Sequence, residues 1–376
     1  MTVTPFTIAV SDADLADLRD RLDRARFPDS ETVDDWSQGV PAAYLEELCD
    51  YWRTAYDWRV VEAKLNALGQ LRAEVDGLGI HFLHQRSPHD DALPLVLTHG
   101  WPGSVVEFLK VIGPLTDPTA HGGSADDAFH VVCPSLPGYG WSDKPTETGW
   151  GVPKIASAWT SLMVDELGYD RFGAQGGDWG SMVTSAIGTN HADHIAGIHL
   201  NMALALPSSM DDLTEAETSA LGGMQHYQQW DSGYSKQQST RPQTVGYGLA
   251  DSPAGQCAWI LEKLWAWTDC DGNPENALTR DEMLDDITLY WLTNTAASSA
   301  RLYWESFESA SLDPVAVPTG ISVFPKEIFR TSERWARARF TDLRHFNTLD
   351  RGGHFAAWEQ PETFVDEVRT FFRTVR

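Results

Sequence analysis

Three short segments of this chain hold residue types that can do covalent chemistry together. The first is Gly176-Gly177-Asp178-Trp179-Gly180, between an apolar run ending near Gln175 and a stretch with helical spacing. A sharp strand-to-helix turn demands small residues around one central residue, and with serine at the centre it is the G-x-S-x-G nucleophile elbow. Here the centre is Asp178. A carboxylate in that place attacks an alkylatable carbon and forms an ester on the protein itself. The bland alternative is a glycine-rich turn with a capping aspartate. The other two segments, and their order, favour chemistry.

The second segment, His99-Gly100-Trp101-Pro102-Gly103, follows the first clear core strand. The backbone N–H groups of Trp101 and Trp179 would there converge on the carbonyl oxygen of an Asp178 ester as an oxyanion hole. His99 is expected to orient the turn. The third segment, Arg351-Gly352-Gly353-His354-Phe355, precedes the last helix, so the nucleophile comes first and the histidine last, an order hydrolases use. His354 is the expected general base. It needs an acid to orient it, and Glu327 in Phe324-Pro325-Lys326-Glu327 follows the preceding core strand; Asp313, Asp342 and Asp350 compete for the role. Where the group leaving that carbon is an oxygen, a donor for it is also required, which tyrosine hydroxyls would supply. The chain has 10 tyrosines, and spacing alone does not select among them. With no HExxH or CxxC pattern, neither a metal nor an organic cofactor is expected.

These segments need a scaffold. Leu93–Thr98, Phe129–Pro134, a short strand before Gln175 and Ile195–Leu200 read as buried strands, alternating with helices at Val105–Ile112, Ile155–Leu167 and after Gly180. Such alternation predicts a mostly parallel sheet. Ahead of it, Ser11 caps a helix carrying Leu15, Leu18 and Leu22, a second helix starts at Pro41, and Leu71–Val75 and Ile80–Leu83 form a hairpin around Gly77 and Gly79. Between Leu204 and Asp313 the alternation gives way to Trp- and Tyr-rich helical stretches, expected to cover the sheet's active edge. Ile321–Phe324, Arg344–Leu349 and a helix over Pro361–Phe372 resume it.

Bulk properties narrow the partners. With 28 Lys and Arg against 54 Asp and Glu, the net charge is −26, and no basic block offers a surface for nucleic acid or acidic lipid. A small neutral substrate is expected. Cys49, Cys133, Cys257 and Cys270 are scattered and read as reduced and structural. With neither a signal-peptide pattern nor a long apolar run, a cytoplasmic protein that does not bind membrane is expected. The 16 tryptophans, several in the helical stretch, predict an apolar or aromatic substrate pocket.

Taken together, the chain resembles the microsomal-type epoxide hydrolases, which include juvenile-hormone hydrolases and soluble fungal and bacterial members. The resemblance spans nearly the whole chain. It rests on PFTIAVSDADLADLRDRLDRARFPD with DDWSQGVP, LTHGWPGSVVEF, PSLPGYGWSDKP, GGDWGS, RPQTVGYGLADSPAG, AVPTG, FPKE and RGGHFAAWEQPE. It implies Asp178 as nucleophile, His354 as base and Glu327, the glutamate of an FPxE segment, as its partner. It also implies Tyr234, from the SGY segment, and Tyr303, from R-x-Y, as the pair polarising the epoxide, with Trp101 and Trp179 beside them in substrate binding.

The implied architecture is an α/β-hydrolase fold. An N-terminal extension over 1–90 wraps the core and braces the lid, the core occupies 91–203 and 314–376, and a helical cap occupies 204–313. The stretch from Tyr303 to AVPTG looks shortened relative to membrane-bound members, and the mammalian N-terminal anchor has no counterpart. Such enzymes convert an epoxide and water to a vicinal diol in detoxification, catabolism or secondary metabolism, and a homodimer would fit. A haloalkane dehalogenase, with halide donors in place of the tyrosines, and a non-catalytic binding protein on a hydrolase scaffold are the alternatives.

Overall fold

The computed structural model describes residues 3–207, 209–306 and 311–376. The N-terminal part comprises β1 (Thr4–Pro5), α1 (Asp12–Asp23), α2 (Ala42–Thr54) and α3 (Trp58–Asn66), then β2 (Gln70–Val75) and β3 (Leu78–Gln85). Ser11 caps α1 by accepting from the Asp14 N–H, as its position suggests. Helix α3 is absent from the sequence reading. Asp57 caps it and Trp58, Val61 and Leu65 bury its inner face, but nine residues give a periodicity too short to stand out.

The central alternation follows as β4 (Leu93–Thr98), α4 (Leu109–Thr116), β5 (Phe129–Pro134), α5 (Val152–Ser161), β6 (Phe172–Gly176), α6 (Asp178–Asn190) and β7 (Ile195–Leu200). The helix expected from Val105 begins as a 3-10 turn over Val105–Phe108 before α4. After β7 come α7 (Glu215–His226), α8 (Gly233–Thr240), α9 (Pro242–Asp251), α10 (Pro253–Trp267), α11 (Arg280–Thr293) and α12 (Ala296–Ser306). The chain then returns through β8 (Thr319–Val323), α13 (Glu333–Arg339), β9 (Leu343–Thr348), α14 (Ala356–Glu359) and α15 (Pro361–Phe372). Residues 307–310, inside the stretch expected to be shortened, and residues 1, 2 and 208 lie outside the described set.

Among the described residues the strands form one sheet in the order β1-β2-β3-β5-β4-β6-β7-β8-β9. β1, β2, β3 and β5 pair antiparallel in sequence, and every pairing from β5 to β9 is parallel. β5, β6, β7 and β8 are buried at every residue, because helices cover both faces. Gly173, Gly197 and Gly320 lie against Phe371 and Phe372 of α15, while Gly176 lies against α6. The direction of winding reverses between β4 and β6, and such a point opens a crevice at the carboxyl ends of the strands.

The two N-terminal helices α1 and α2 pack against α10, and α3 packs against α11. Trp36 stacks on Trp265 at 4.9 Å, and the hydroxyls of Tyr44, Tyr51 and Tyr56 donate to Glu275, Asp281 and Asp285 at 3.1, 2.8 and 2.8 Å. The preface thus grips the helices inserted between β7 and β8. No helix among the described residues is long and apolar enough to cross a membrane.

Candidate active site

Asp178 stands at the start of α6, directly beyond the carboxyl end of β6, with a φ of +48°. A non-glycine residue pays about 1–2 kcal/mol for that left-handed conformation. The turn around it admits no side chains. A Cβ on Gly176 would overlap the Gly180 carbonyl, and one on Gly180 would overlap the Thr98 carbonyl at the end of β4. The two glycines therefore bring α6 close to the sheet and lift Asp178 into the crevice.

One carboxylate oxygen of Asp178, Oδ1, accepts the Trp101 N–H at 2.7 Å. Trp179 N–H lies in the first turn of α6, where amides have no intrahelical acceptor. His99 is buried and neutral. Its Nε2 accepts the Leu136 N–H at 3.2 Å, so its Nδ1 carries the proton and donates to the Gly100 carbonyl at 2.9 Å. Burial pushes its pKa down to about 4. With both ring nitrogens engaged by backbone groups it orients the turn.

The other oxygen, Oδ2, lies 3.4 Å from His354 Nε2. His354 Nδ1 meets Glu327 Oε1 at 2.6 Å, and the Ile328 N–H donates to the same oxygen at 2.8 Å. The rivals for this place are elsewhere: Asp342 pairs with Arg344 at 2.8 Å, and Asp313 and Asp350 are exposed. His354 is also fixed from the inserted helices, its N–H donating to the Trp267 carbonyl at 2.9 Å and its ring packing on the Trp267 ring at 5.1 Å.

Burial alone would lower the pKa of His354, but the charges and hydrogen bonds of Glu327 and Asp178 outweigh it and hold the pKa well above the ordinary histidine value. An anion favours the protonated ring, so removing one must lower the pKa. In Asp178→Asn, His354 is therefore expected to titrate at lower pH than in the parent, followed by NMR of the labelled imidazole. An unchanged titration would mean that the two side chains do not sense each other.

Tyr234 in α8 and Tyr303 in α12 come together although 68 residues, 235–302, lie between them. Tyr234 stacks on the Trp101 ring at 4.9 Å, Tyr303 sits edge-on to Trp179 at 4.8 Å, and the two tyrosine rings are 5.7 Å apart. Burial raises both phenol pKa values well above the ordinary value, so both keep their protons as donors.

Sequence reasoning missed several neighbours. Tyr227 shares a 3.0 Å hydroxyl contact with Tyr234 and has no sequence signal beyond lying two helical turns before it. Trp267 directs its Nε1–H to Asp231 at 2.6 Å, and the ammonium of the buried Lys263 sits 4.8 Å over the Tyr234 ring while pairing with Asp231 at 2.6 Å. Gln175, Asn201 and Glu107 join Asp178 and His354 around a cavity of about 20 Å³. Among the described residues, no cluster of His, Cys, Asp or Glu is placed to hold a metal.

Comparison with known proteins places this arrangement among relatives. Residues 3–108 match the family described as epoxide hydrolase N terminus, and residues 94–242 match the alpha/beta hydrolase fold. A Stigmatella aurantiaca protein provisionally named an epoxide hydrolase is 57% identical, over 100% of this chain and 86% of its own. Epoxide hydrolase 1 of Sus scrofa is 36% identical, over 98% of this chain and 88% of its own. The solved Aspergillus niger epoxide hydrolase superposes with a TM-score of 0.91 at 31% identity, covering 100% of this chain and 97% of that one.

Proposed function

Since this chain belongs to the epoxide hydrolase family, we propose that Asp178, His354 and Glu327 convert an epoxide and water to a vicinal diol through an ester on Asp178. The observation that carries the assignment is the division of labour between the two Asp178 oxygens. Oδ1 is already held by the Trp101 N–H, and Oδ2 is turned toward His354.

In the first step Tyr234 and Tyr303 hold the epoxide oxygen while Oδ2 attacks a ring carbon from the opposite side. The carbon–oxygen bond of the ring breaks, and a tyrosine proton goes to the departing oxygen. Asp178 then carries no charge. That removes one of the two anions favouring imidazolium, so His354 releases its proton, which replaces the one the tyrosine gave up, and becomes free to act as a base. In the second step His354 Nε2 takes a proton from water, the hydroxyl oxygen bonds to the Asp178 carbonyl carbon, and the N–H groups of Trp101 and Trp179 receive the negative Oδ1. Collapse releases the diol oxygen, which takes the proton from His354, and the Asp178 carboxyl group left behind passes its own proton to His354 and restores the starting pair. Glu327 holds the ring in the tautomer and orientation this requires.

The rings of Trp101, Trp179, Tyr234, Trp267 and Tyr303 pack against one another as one aromatic cluster that includes both epoxide-holding tyrosines, which supports an apolar or aromatic epoxide as substrate. Trp267 Nε1–H is committed to Asp231 and is not free for a halide. We take the helices between β7 and β8 as the cap over the site. Four buried cysteines without disulfide partners support a reducing, cytoplasmic setting.

The test is a single turnover of styrene oxide in ¹⁸O-labelled water with enzyme in excess. The first diol is expected without label, because its new oxygen comes from Asp178, and diols from later turnovers are expected with it. Label in the first diol would replace the ester route by direct attack of water.

A further inference from the structure

The Asp178–His354 pair opens on one side to the tyrosines and on the other to the small cavity lined by Glu107, Gln175, Asn201 and Phe364. Its volume of about 20 Å³ is room for about one water molecule. Neither tyrosine borders it. A water there borders both Asp178 and His354 and touches neither tyrosine.

Glu107 belongs to the 3-10 turn after HGWPG and is 9% exposed. Its carboxyl group reaches the cavity because Gly103 has no side chain: a Cβ there would coincide with Glu107 Oε1. The last glycine of HGWPG thus clears the path for a carboxyl group. We propose that Glu107 hydrogen-bonds to the water that hydrolyses the Asp178 ester and holds it between His354 Nε2 and the ester carbonyl carbon.

This rests on the ester cycle proposed above. When His354 takes one proton and the water oxygen bonds to the carbonyl carbon, the second O–H has to be directed somewhere, and an undirected water loses the alignment that makes attack fast. Glu107 keeps its own proton count through the step. Burial, and then the fully buried Asp286 behind it, push its pKa well above the ordinary carboxyl value. A neutral carboxyl can bond to the water without setting a second negative charge beside the developing oxyanion.

A purely structural role is the competing account, because Ser104-Val105-Val106-Glu107 has the S-x-x-E form of a capping box. Rapid-quench mass spectrometry of the Asp178 peptide, with enzyme in excess over styrene oxide, separates the two by following ester formation and ester decay. Glu107→Leu is expected to form ester within about threefold of the parent rate and to lose it about 10²-fold more slowly, the cost of a misplaced reactant. Gly103→Ala, which displaces the carboxyl group with Glu107 intact, is expected to give the same split. Glu107→Gln keeps a hydrogen-bonding group of the same length and is expected to restore most of the decay rate.

Parent-like ester decay in Glu107→Leu, equal slowing of both steps, or a Gln variant as slow as Leu would each overturn the role of Glu107. Failure of the parent to form any ester would instead overturn the cycle beneath it.

Discussion

Asp178→Ala is expected to stop diol formation, with turnover falling on the order of 10⁴-fold or more, as when an acting nucleophile is deleted from a group that works as a unit. Among the described residues, neither carboxyl group beside the site stands ready to replace it. Glu327 is turned to the far side of His354, at 2.6 Å from Nδ1, and Glu107 borders the small cavity, which neither tyrosine lines. The substitution should leave the protein folded, since the methyl group of alanine occupies the same left-handed position that Asp178 already takes at a φ of +48°. Diol formation by chromatography, beside a melting curve, checks it. A folded variant retaining more than a few per cent of parent turnover would remove Asp178 from the mechanism.

His354→Gln is expected to split the reaction in two. Ring opening needs the carboxylate and the tyrosines, so one equivalent of epoxide should still be consumed; ester hydrolysis needs the base, whose loss costs about 10²–10⁴-fold. The protein should therefore gain the mass of one substrate molecule on the peptide bearing Asp178 and keep it. Intact-protein and peptide mass spectrometry read this directly. Continued turnover with no adduct would show that some other group activates the water. Loss of the His354 ring also removes the positive neighbour of Asp178, which argues for measuring adduct formation at several pH values.

Much of this site is legible in the chain because its chemistry and its backbone geometry demand the same residues. Gly176 and Gly180 are required where α6 meets Thr98, and that requirement marks Asp178 as the residue lifted between them. His354 follows from its order and its glycines. The acid is different. Glu327, Asp313, Asp342 and Asp350 are alike in sequence, and only packing shows that Asp342 is taken up by Arg344 while Glu327 reaches the imidazole. Tyr234 and Tyr303 are further still from recognition by spacing, because their meeting depends on how α8 and α12 pack. The family resemblance selected them; the chain alone did not.

Glu107 carries no sequence signal of its own, because Ser104-x-x-Glu107 also has the form of a capping box. What reveals it is the missing side chain at Gly103, four residues earlier, which matters only once the turn is built in three dimensions. Helix α3 and the 3-10 start before α4 were likewise too short or too irregular for periodicity to report.

The inserted helices are tied to the core at several points far apart. Trp267 receives the His354 N–H, Tyr290 donates to the Gly103 carbonyl at 2.9 Å, Ser298 donates to the Gly138 carbonyl at 2.6 Å, and the N-terminal tyrosines grip α11 and its neighbours. Helices moored at points this far apart are expected to move little as one body relative to the sheet. Admission of a substrate is then expected to depend on local side-chain movement rather than on a swing of the whole insert.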